Sequence, residues 1–83
     1  MNIKGKKIGF LGAGNMGEAL IKGLLKTGIV PPESLFATDV RLDRLKQIDK
    51  LYGIQVLPDN PTLVKQVDVV ILAVKPQIIA QVL

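Results

Sequence analysis

Residues 8–17 read Ile-Gly-Phe-Leu-Gly-Ala-Gly-Asn-Met-Gly, an apolar run followed by a glycine-rich turn that leads into a helix. Gly12, Gly14 and Gly17 have the spacing of the GxGxxG fingerprint. Gly12 allows a sharp turn off the strand, Gly14 lets a pyrophosphate approach the backbone, and Gly17 allows the helix to pack closely on the strand. The first N–H groups of that helix lack intrahelical partners and carry partial positive charge. The stretch therefore predicts a diphosphate-binding turn.

The same spacing also occurs in ordinary strand–helix turns, so its surroundings matter. Here the turn follows an apolar strand, opens an amphipathic helix and lies near the N-terminus, where a first βαβ unit belongs. These features favour the binding turn over a plain connection.

Composition limits the other possibilities. The chain has 83 residues, 48% of them hydrophobic, which predicts one small folded domain. The net charge of +4 is spread over helix faces, and the three aromatic residues do not interleave with a basic run, which argues against nucleic-acid binding. With no cysteine and no histidine, disulfides, thiolate metal sites and the usual general base are excluded, and no metal site is predicted. No segment is long enough to span a bilayer, so a cytoplasmic protein is expected.

Strands and helices alternate along the whole chain. The patterns predict strands at Lys7–Leu11, Leu35–Thr38, Ile54–Leu57 and Val69–Val74, and helices at about Asn15–Thr27, Leu42–Tyr52 and Pro61–Gln66, with another helix opening at Gln77–Leu83. Right-handed crossovers make such a chain a parallel sheet with helices on both faces. The predicted fold is therefore α/β and Rossmann-like, with strand order 3-2-1-4, truncated before the remaining strands.

Several local details follow from the same patterns. The first helix is expected to end at Gly28 and to bury one stripe of small and apolar residues: Met16, Ala19, Leu20, Gly23 and Leu24. Asn60 is predicted to cap the third helix, with Pro61 in its first position. The apolar run of the fourth strand predicts burial on both faces.

Asp39 ends the second strand, where the fingerprint expects a carboxylate that binds the adenosine ribose hydroxyls. An Asp at this place can also simply cap a turn. Arg41 and Arg44 follow closely and could hold a 2′-phosphate. The carboxylate favours NAD and the arginines permit NADP, so both cofactors stay open.

Two further positions at this edge of the sheet are ambiguous. The sequence Val74-Lys75-Pro76-Gln77 is either a plain strand terminus or a backbone ledge beside the nicotinamide half of the cofactor. Nothing local suggests a depressed pKa for Lys75, so it is not assigned as a general acid, and no catalytic residue is identified. Asn60 could contact the cofactor in addition to capping its helix.

Residues 8–20, Ile-Gly-Phe-Leu-Gly-Ala-Gly-Asn-Met-Gly-Glu-Ala-Leu, and 68–77, Asp-Val-Val-Ile-Leu-Ala-Val-Lys-Pro-Gln, resemble the N-terminal domain of pyrroline-5-carboxylate reductases. That family makes proline by hydride transfer from NADPH or NADH to the C=N bond of pyrroline-5-carboxylate. The resemblance implies that the glycine turn cradles the pyrophosphate, that Asp39 and Arg41 lie by the ribose, and that Asn60 and residues 73–76 line the remainder. The predicted cofactor site is Leu11, Gly12, Ala13, Gly14, Asn15, Met16, Gly17, Asp39, Arg41, Asn60, Ala73, Val74, Lys75 and Pro76.

The resemblance also carries expectations about the parent protein. Family members continue into a helical C-terminal domain that forms the dimer and most of the substrate pocket, so residues 1–83 are expected to be the NAD(P)-binding domain of a homo-oligomeric, small-molecule reductase. Alone, this domain should bind dinucleotide weakly and turn over little substrate. Asp39 departs from NADPH-preferring members, which often have a small hydroxyl residue there. The alternatives are a related β-hydroxyacid dehydrogenase or F420-dependent NADP reductase, or a non-catalytic dinucleotide-binding module.

Overall fold

The computed structural model describes residues 4–73, and these residues form alternating strands and helices. Their bounds are β1 Ile8–Leu11, α1 Asn15–Thr27, β2 Leu35–Thr38, α2 Leu42–Tyr52, β3 Gln55–Val56, α3 Asn60–Gln66 and β4 Val69–Leu72, with a 3-10 turn at Pro32–Ser34. The predicted elements within this part of the chain are confirmed, although β1, β3 and β4 are shorter than expected. The helix predicted at Gln77–Leu83 lies outside the described residues.

The strands form one parallel sheet in the order β3-β2-β1-β4, which confirms the predicted topology. In β1, Ile8 lies beside Leu35 of β2 and Val69 of β4. This arrangement places the carboxyl ends of β1, β2 and β4 at one edge of the sheet. Both the glycine turn and Asp39 follow strands that end at that edge.

The face of the sheet covered by α1 and α2, here the α1/α2 face, contains the main core. Phe10 of β1 is fully buried there, together with Ile21 of α1 and Ile48 of α2. Because side chains alternate along a strand, Ile8 and Phe10 share this face while Gly9 points to the other. This core fixes the positions of α1 and α2 relative to β1.

The opposite face, here the α3 face, is covered by α3 at β1. An added Cβ at Gly9 would lie 2.4 Å from Cδ2 of Leu63, so α3 approaches the strand more closely than any side chain would permit. Leu63 itself is fully buried. Helices therefore pack on both faces, as predicted, and the glycine in β1 sets the distance of α3 from the sheet.

The predicted burial of β4 on both faces is wrong for Val69–Leu72. Val70 and Leu72 pair with Gly9 and Leu11, so they lie on the α3 face, where 42% and 58% of their surfaces are exposed. Val69 and Ile71 pack against the core on the other face. β4 is an edge strand of the described sheet, and α3 packs against β1 and β2. Among residues 4–73, no other helix lies on this face, so the α3 face of β4 stays partly exposed.

The predicted core stripe of α1 is also wrong in register. Met16 is 54% exposed and Leu20 is 40% exposed, whereas Gly17 and Ile21 are buried. Ala19 and Gly23 are exposed as well, and of the predicted stripe only Leu24 is partly buried, as is Leu25. The close approach of Gly17 to the glycine turn fixes the rotation of α1 about its axis. In that rotation Gly17 and Ile21 face the core, and Met16 and Leu20 do not.

The helix ends follow simple chemistry, with one correction. Gly28 and Gly53 end α1 and α2 in the left-handed conformation, with φ of 72° and 69°, as predicted for Gly28. The cap of α3 is Asp59 and not Asn60, because the Asp59 carboxylate accepts a 2.8 Å hydrogen bond from the Thr62 N–H. Asn60 is thus the first helical residue, and its side chain is available for another partner.

Candidate cofactor site

The turn after β1 needs glycine at Gly12. Its φ is 102°, a conformation that residues with a side chain rarely adopt. The Gly12 N–H donates a 3.0 Å hydrogen bond to the carbonyl of Thr38, which ties the turn to the end of β2. The predicted purpose of the first fingerprint glycine is confirmed.

Gly17 brings α1 against the turn and the end of β4. A Cβ at Gly17 would lie 2.8 Å from the Gly12 carbonyl oxygen and 3.4 Å from the Ala73 Cβ. Ala73 is buried, and its N–H donates a 3.0 Å hydrogen bond to the Leu11 carbonyl. The turn and the beginning of the segment after β4 therefore meet at the carboxyl ends of β1 and β4.

Gly14 differs from the other two fingerprint glycines. A Cβ placed there would meet only the Arg41 Nη2, at an ordinary contact distance of 3.7 Å, and its φ of −80° is available to any residue. Neither packing nor backbone conformation within residues 4–73 therefore requires glycine at this position. Its absent Cβ leaves a cradle on the turn, which is the arrangement that a pyrophosphate needs.

The start of α1 has the donors that such a group requires. Gly14 caps the helix and Asn15 begins it, and in the described part of the chain no side chain caps its first N–H groups. The first helical hydrogen bond runs from the Glu18 N–H to the Gly14 carbonyl at 2.9 Å. The uncapped amides and the helix dipole make this end suited to a doubly charged phosphate bridge, so the residues present fit a dinucleotide.

Asp39 lies against the turn with its carboxylate fully engaged. Oδ2 accepts from the Ala13 N–H at 2.8 Å and from Arg41 Nη2 at 3.0 Å, while Oδ1 accepts from the Arg41 N–H and Nε, both at 2.9 Å. The side chain is 7% exposed. The hydrogen bonds from the Arg41 side chain, followed by those from the backbone, hold the pKa of Asp39 far below its usual range. These bonds occupy about four acceptor sites, the capacity of a carboxylate.

Arg41 is the exposed partner of this pair. Its side chain is 55% exposed, and its Nη2 is the nearest side-chain atom to the Gly14 cradle. The ion pair with Asp39 raises the pKa of Arg41 above its usual value. Arg41 therefore presents an exposed cation beside the glycine turn.

Arg44 lies behind the turn and faces protein atoms. Nε donates to the Ala13 carbonyl at 2.7 Å, and Nη2 donates to Glu18 Oε1 at 2.6 Å. Nη1 donates to the Gln47 side chain at 2.8 Å, and the arginine side chain is 15% exposed. Of the two arginines considered for a 2′-phosphate, only Arg41 is directed toward solvent.

Glu18 and Tyr52 complete a connection between α1 and α2. The Tyr52 hydroxyl donates to Glu18 Oε2, while Glu18 Oε1 accepts from Arg44. We call these three residues the Arg44–Glu18–Tyr52 strut. Hydrogen bonds from Tyr52 and Arg44 lower the pKa of Glu18, and the bond to Glu18 raises that of Tyr52. The strut was not predicted, since its members lie on two separate helices and no local pattern connects them.

Asn60 and residues 74–76 complete the predicted cofactor site, and the structure describes only Asn60 among them. Thr38 donates its hydroxyl hydrogen to Asn60 Oδ1, so Asn60 is fixed at the end of β2 next to the turn. Val74, Lys75 and Pro76 lie outside the described residues. Among residues 4–73, no three acidic side chains are grouped in a way that could hold a metal ion.

Known proteins with similar sequences now place this arrangement in a family. The model of a family described as "NADP oxidoreductase coenzyme F420-dependent" matches residues 7–83. The chain belongs to this family.

Two similar sequences and one similar solved structure carry the name pyrroline-5-carboxylate reductase. The chain is 48% identical over 81 residues to a pyrroline-5-carboxylate reductase of Methanosarcina acetivorans, covering 98% of this chain and 30% of that relative. It is 41% identical over 73 residues to pyrroline-5-carboxylate reductase 2 of Bacillus subtilis, covering 87% of this chain and 26% of the relative. A solved pyrroline-5-carboxylate reductase from Coxiella burnetii matches with a TM-score of 0.81 and 35% identity, over 93% of this chain and 28% of that one.

These matches confirm the resemblance, the Rossmann-like fold and, at the level of the family, a dinucleotide cofactor of the NAD or NADP type. The chain spans about 30% of the length of its M. acetivorans relative. No helix within residues 4–73 is both long enough and apolar enough to cross a bilayer.

Proposed function

We propose that the glycine turn and the start of α1 bind the pyrophosphate of NADPH or NADH. The observation that carries this proposal is Gly14, whose missing Cβ serves neither backbone conformation nor packing in the described chain. Asn15 and Met16 are the first two residues of α1 and are exposed, so they can approach a bound cofactor. Ala73 closes the site at the end of β4.

The parent reaction that we propose is reduction of pyrroline-5-carboxylate to proline. When bound, the cofactor would supply a hydride to the C=N carbon, and the nitrogen would take up a proton to give the amine of proline. This domain contributes by positioning, because a fixed turn and strand ends hold a cofactor in one orientation. The names of the relatives support this substrate. The resemblance to the reductase family supports a substrate pocket contributed by a further domain.

A second function is favoured by the family description itself, which names coenzyme F420. An F420-dependent NADP reductase would use the same dinucleotide turn with a different hydride partner. The two functions differ in the second substrate only, so the second substrate is what an assay has to vary.

For the choice between cofactors, we propose a preference for NADPH. Arg41 and the Ala13 N–H together fill the acceptor sites of Asp39, and Arg41 neutralises its charge, so the carboxylate has no free lone pair for ribose hydroxyls. A 2′-phosphate placed at this side of the turn would instead meet the exposed Arg41 guanidinium, which suits phosphate geometry. Asp39 would then fix the position of the turn through the Ala13 N–H, and Arg41 would distinguish NADPH from NADH by binding the 2′-phosphate.

Calorimetric titration of this chain with NADPH and NADH tests the binding site. Gly14→Val should abolish binding of both cofactors while the thermal unfolding midpoint stays close to that of the original chain, because among residues 4–73 an added Cβ would meet only Arg41 Nη2, at an ordinary contact distance of 3.7 Å. Binding by Gly14→Val equal to that of the original chain would place the pyrophosphate elsewhere.

Arg41→Met tests the cofactor preference. Loss of a charge-assisted hydrogen bond is worth about 1.5–3 kcal/mol, so the NADPH dissociation constant should rise about ten- to hundredfold. The NADH dissociation constant should not rise, because the Asp39 oxygens released by the Arg41 side chain can accept from the ribose hydroxyls. Lys50→Met in the last turn of α2 removes the same charge away from the turn and is the matched control. An equal loss for both cofactors would contradict recognition of the 2′-phosphate.

Two chimaeras test the reaction. Residues 1–83 replace the matching segment of the M. acetivorans relative and, in a second chimaera, that of a coenzyme F420-dependent NADP reductase. Consumption of NADPH is followed with pyrroline-5-carboxylate in the first chimaera and with oxidised coenzyme F420 in the second. Reduction of pyrroline-5-carboxylate supports the first function. Activity with F420 alone would favour the second, and dinucleotide binding without either activity would favour a non-catalytic module.

For the parent protein we also propose a cytoplasmic homo-oligomer assembled through a further domain. The proposal is supported by the resemblance to the reductase family. Light scattering of the first chimaera against this chain alone would measure the contribution of the further domain to assembly.

A further inference from the structure

We propose that Arg44 is a positioning residue for the phosphate-binding turn, acting through the Ala13 carbonyl and supported by Glu18 and Tyr52. This inference rests on the proposed cofactor site and assigns a role to residues that do not themselves touch the cofactor. Its basis is that both polar backbone groups of Ala13 are held by charged side chains. Asp39 accepts from the N–H at 2.8 Å, and Arg44 Nε donates to the carbonyl at 2.7 Å.

Peptide geometry transmits the position of Arg44 to the cradle. Described peptide bonds are trans, so the carbonyl of Ala13 and the N–H of Gly14 point in opposite directions across one plane. Arg44 fixes the carbonyl toward α2. The Gly14 N–H is therefore directed away from α2, on the side opposite Arg44, where it is available to a ligand.

The guanidinium can do this because it is itself immobilised. Glu18 accepts from Nη2 and Gln47 accepts from Nη1, while Tyr52 donates to the second oxygen of Glu18. Both members of the ion pair are mostly buried, with 15% of Arg44 and 25% of Glu18 exposed. A guanidinium held at three corners orients the peptide more precisely than a flexible ammonium would.

Direct attraction of the cofactor by the Arg44 charge is the rival explanation. It is disfavoured because each nitrogen of the guanidinium donates to a protein acceptor and the nearest carboxylate belongs to Glu18. The two explanations differ in which contacts of the cofactor are weakened when Arg44 is replaced. A positioning residue affects the pyrophosphate contact alone.

The experiment titrates this chain and its Arg44→Met variant with NADPH and with adenosine 2′-phosphate, which lacks the pyrophosphate. The inference predicts that the NADPH dissociation constant rises about tenfold, the value of one charge-assisted hydrogen bond, while that of adenosine 2′-phosphate stays unchanged. Lys50→Met again controls for the lost charge. Equal losses for the two ligands, or no loss for NADPH, would overturn the inference.

Arg44→Lys and Tyr52→Phe keep the test decisive if Arg44→Met does not fold. Arg44→Lys keeps the charge but not the planar fork, so it should lose NADPH affinity as Arg44→Met does. Charge attraction alone would predict affinity equal to that of the original chain. Tyr52→Phe removes one neutral hydrogen bond from the strut and should cost about two- to tenfold in NADPH affinity.

A readout without cofactor separates this inference from the proposed function. In ¹⁵N–¹H spectra of the free chain, Arg44→Met should shift the Gly14 amide resonance, whereas Lys50→Met should not. An unchanged Gly14 resonance overturns the positioning role. If the original chain bound no NADPH, the proposed function would fail while the spectral result would still decide how Arg44 orients the turn.

Discussion

The two faces of the sheet are built differently. On the α1/α2 face, Phe10 and its neighbours are fully buried under two long helices. On the α3 face, one helix of seven residues covers β1 and β2, while Leu72 of β4 is more than half exposed. The difference shows where the stability of the described chain comes from: the α1/α2 face supplies most of the buried apolar surface, and the glycine turn connects β1 to α1 on this face.

The largest expected effect is on the α1/α2 face. Phe10→Ala removes a fully buried ring and leaves a cavity between β1 and its helices. Such substitutions cost about 3–5 kcal/mol, a large part of the stability of a domain of this size. Urea unfolding followed by circular dichroism measures the loss. A cost below about 1 kcal/mol, the range of ordinary substitutions, would mean that this face is not the main core.

Gly9→Val tests the close approach on the α3 face. The new Cβ would collide with the buried Leu63 side chain, so α3 must move outward. Overpacking of this kind costs about 1–3 kcal/mol, less than the Phe10 cavity. The same urea experiment applies, and Leu63→Ala in the Gly9→Val background should recover part of the loss if the collision is its cause.

Leu72→Thr probes the exposed part of the α3 face. Since 58% of Leu72 is exposed and threonine is well suited to strands, the free energy of unfolding should change by no more than about 0.5 kcal/mol. Ile71→Thr on the opposite face of the same strand is the matched control and should cost more. A loss for Leu72→Thr as large as that for Ile71→Thr would show that both faces of β4 are covered.

The smallest effect is expected from mild acid. The pKa values of Asp39 and Glu18 are lowered in the folded chain, so their stabilisation is complete above their ordinary values near pH 4 and declines as pH falls through the lowered values. The free energy of unfolding should therefore change little between pH 7 and pH 5 and fall below about pH 4. Urea titrations across this range test it, and Asp39→Asn should show a shallower decline in acid.

The fold could be predicted from the sequence because its signals are local. Gly12 and Gly28 require positive φ, and each marks the end of a strand or helix within a few residues. The β-branched run before Ala73 and the apolar run before Gly12 are typical of adjacent parallel strands. Short connections then leave few possible strand orders.

Features that depend on distant contacts could not be predicted. The apolar residues of α1 exceed what one face can bury, and only the contact of Gly17 with the turn decides that Ile21 faces inward while Met16 does not. Similarly, Arg44 is separated from Ala13 by 31 positions, so its hydrogen bond depends on the assembled sheet. The candidate site could be located by pattern, but not the side chains that support it.

Tyr52, the hydroxyl donor of the strut, also gives the protein an intrinsic optical signal. The sequence has a single tyrosine and no tryptophan, so Tyr52 is the chain's dominant ultraviolet emitter. Its hydroxyl donates to a carboxylate directly behind the glycine turn. The protein thus carries a built-in optical probe at the back of its candidate site, and stopped-flow emission could follow rearrangements there without any attached dye.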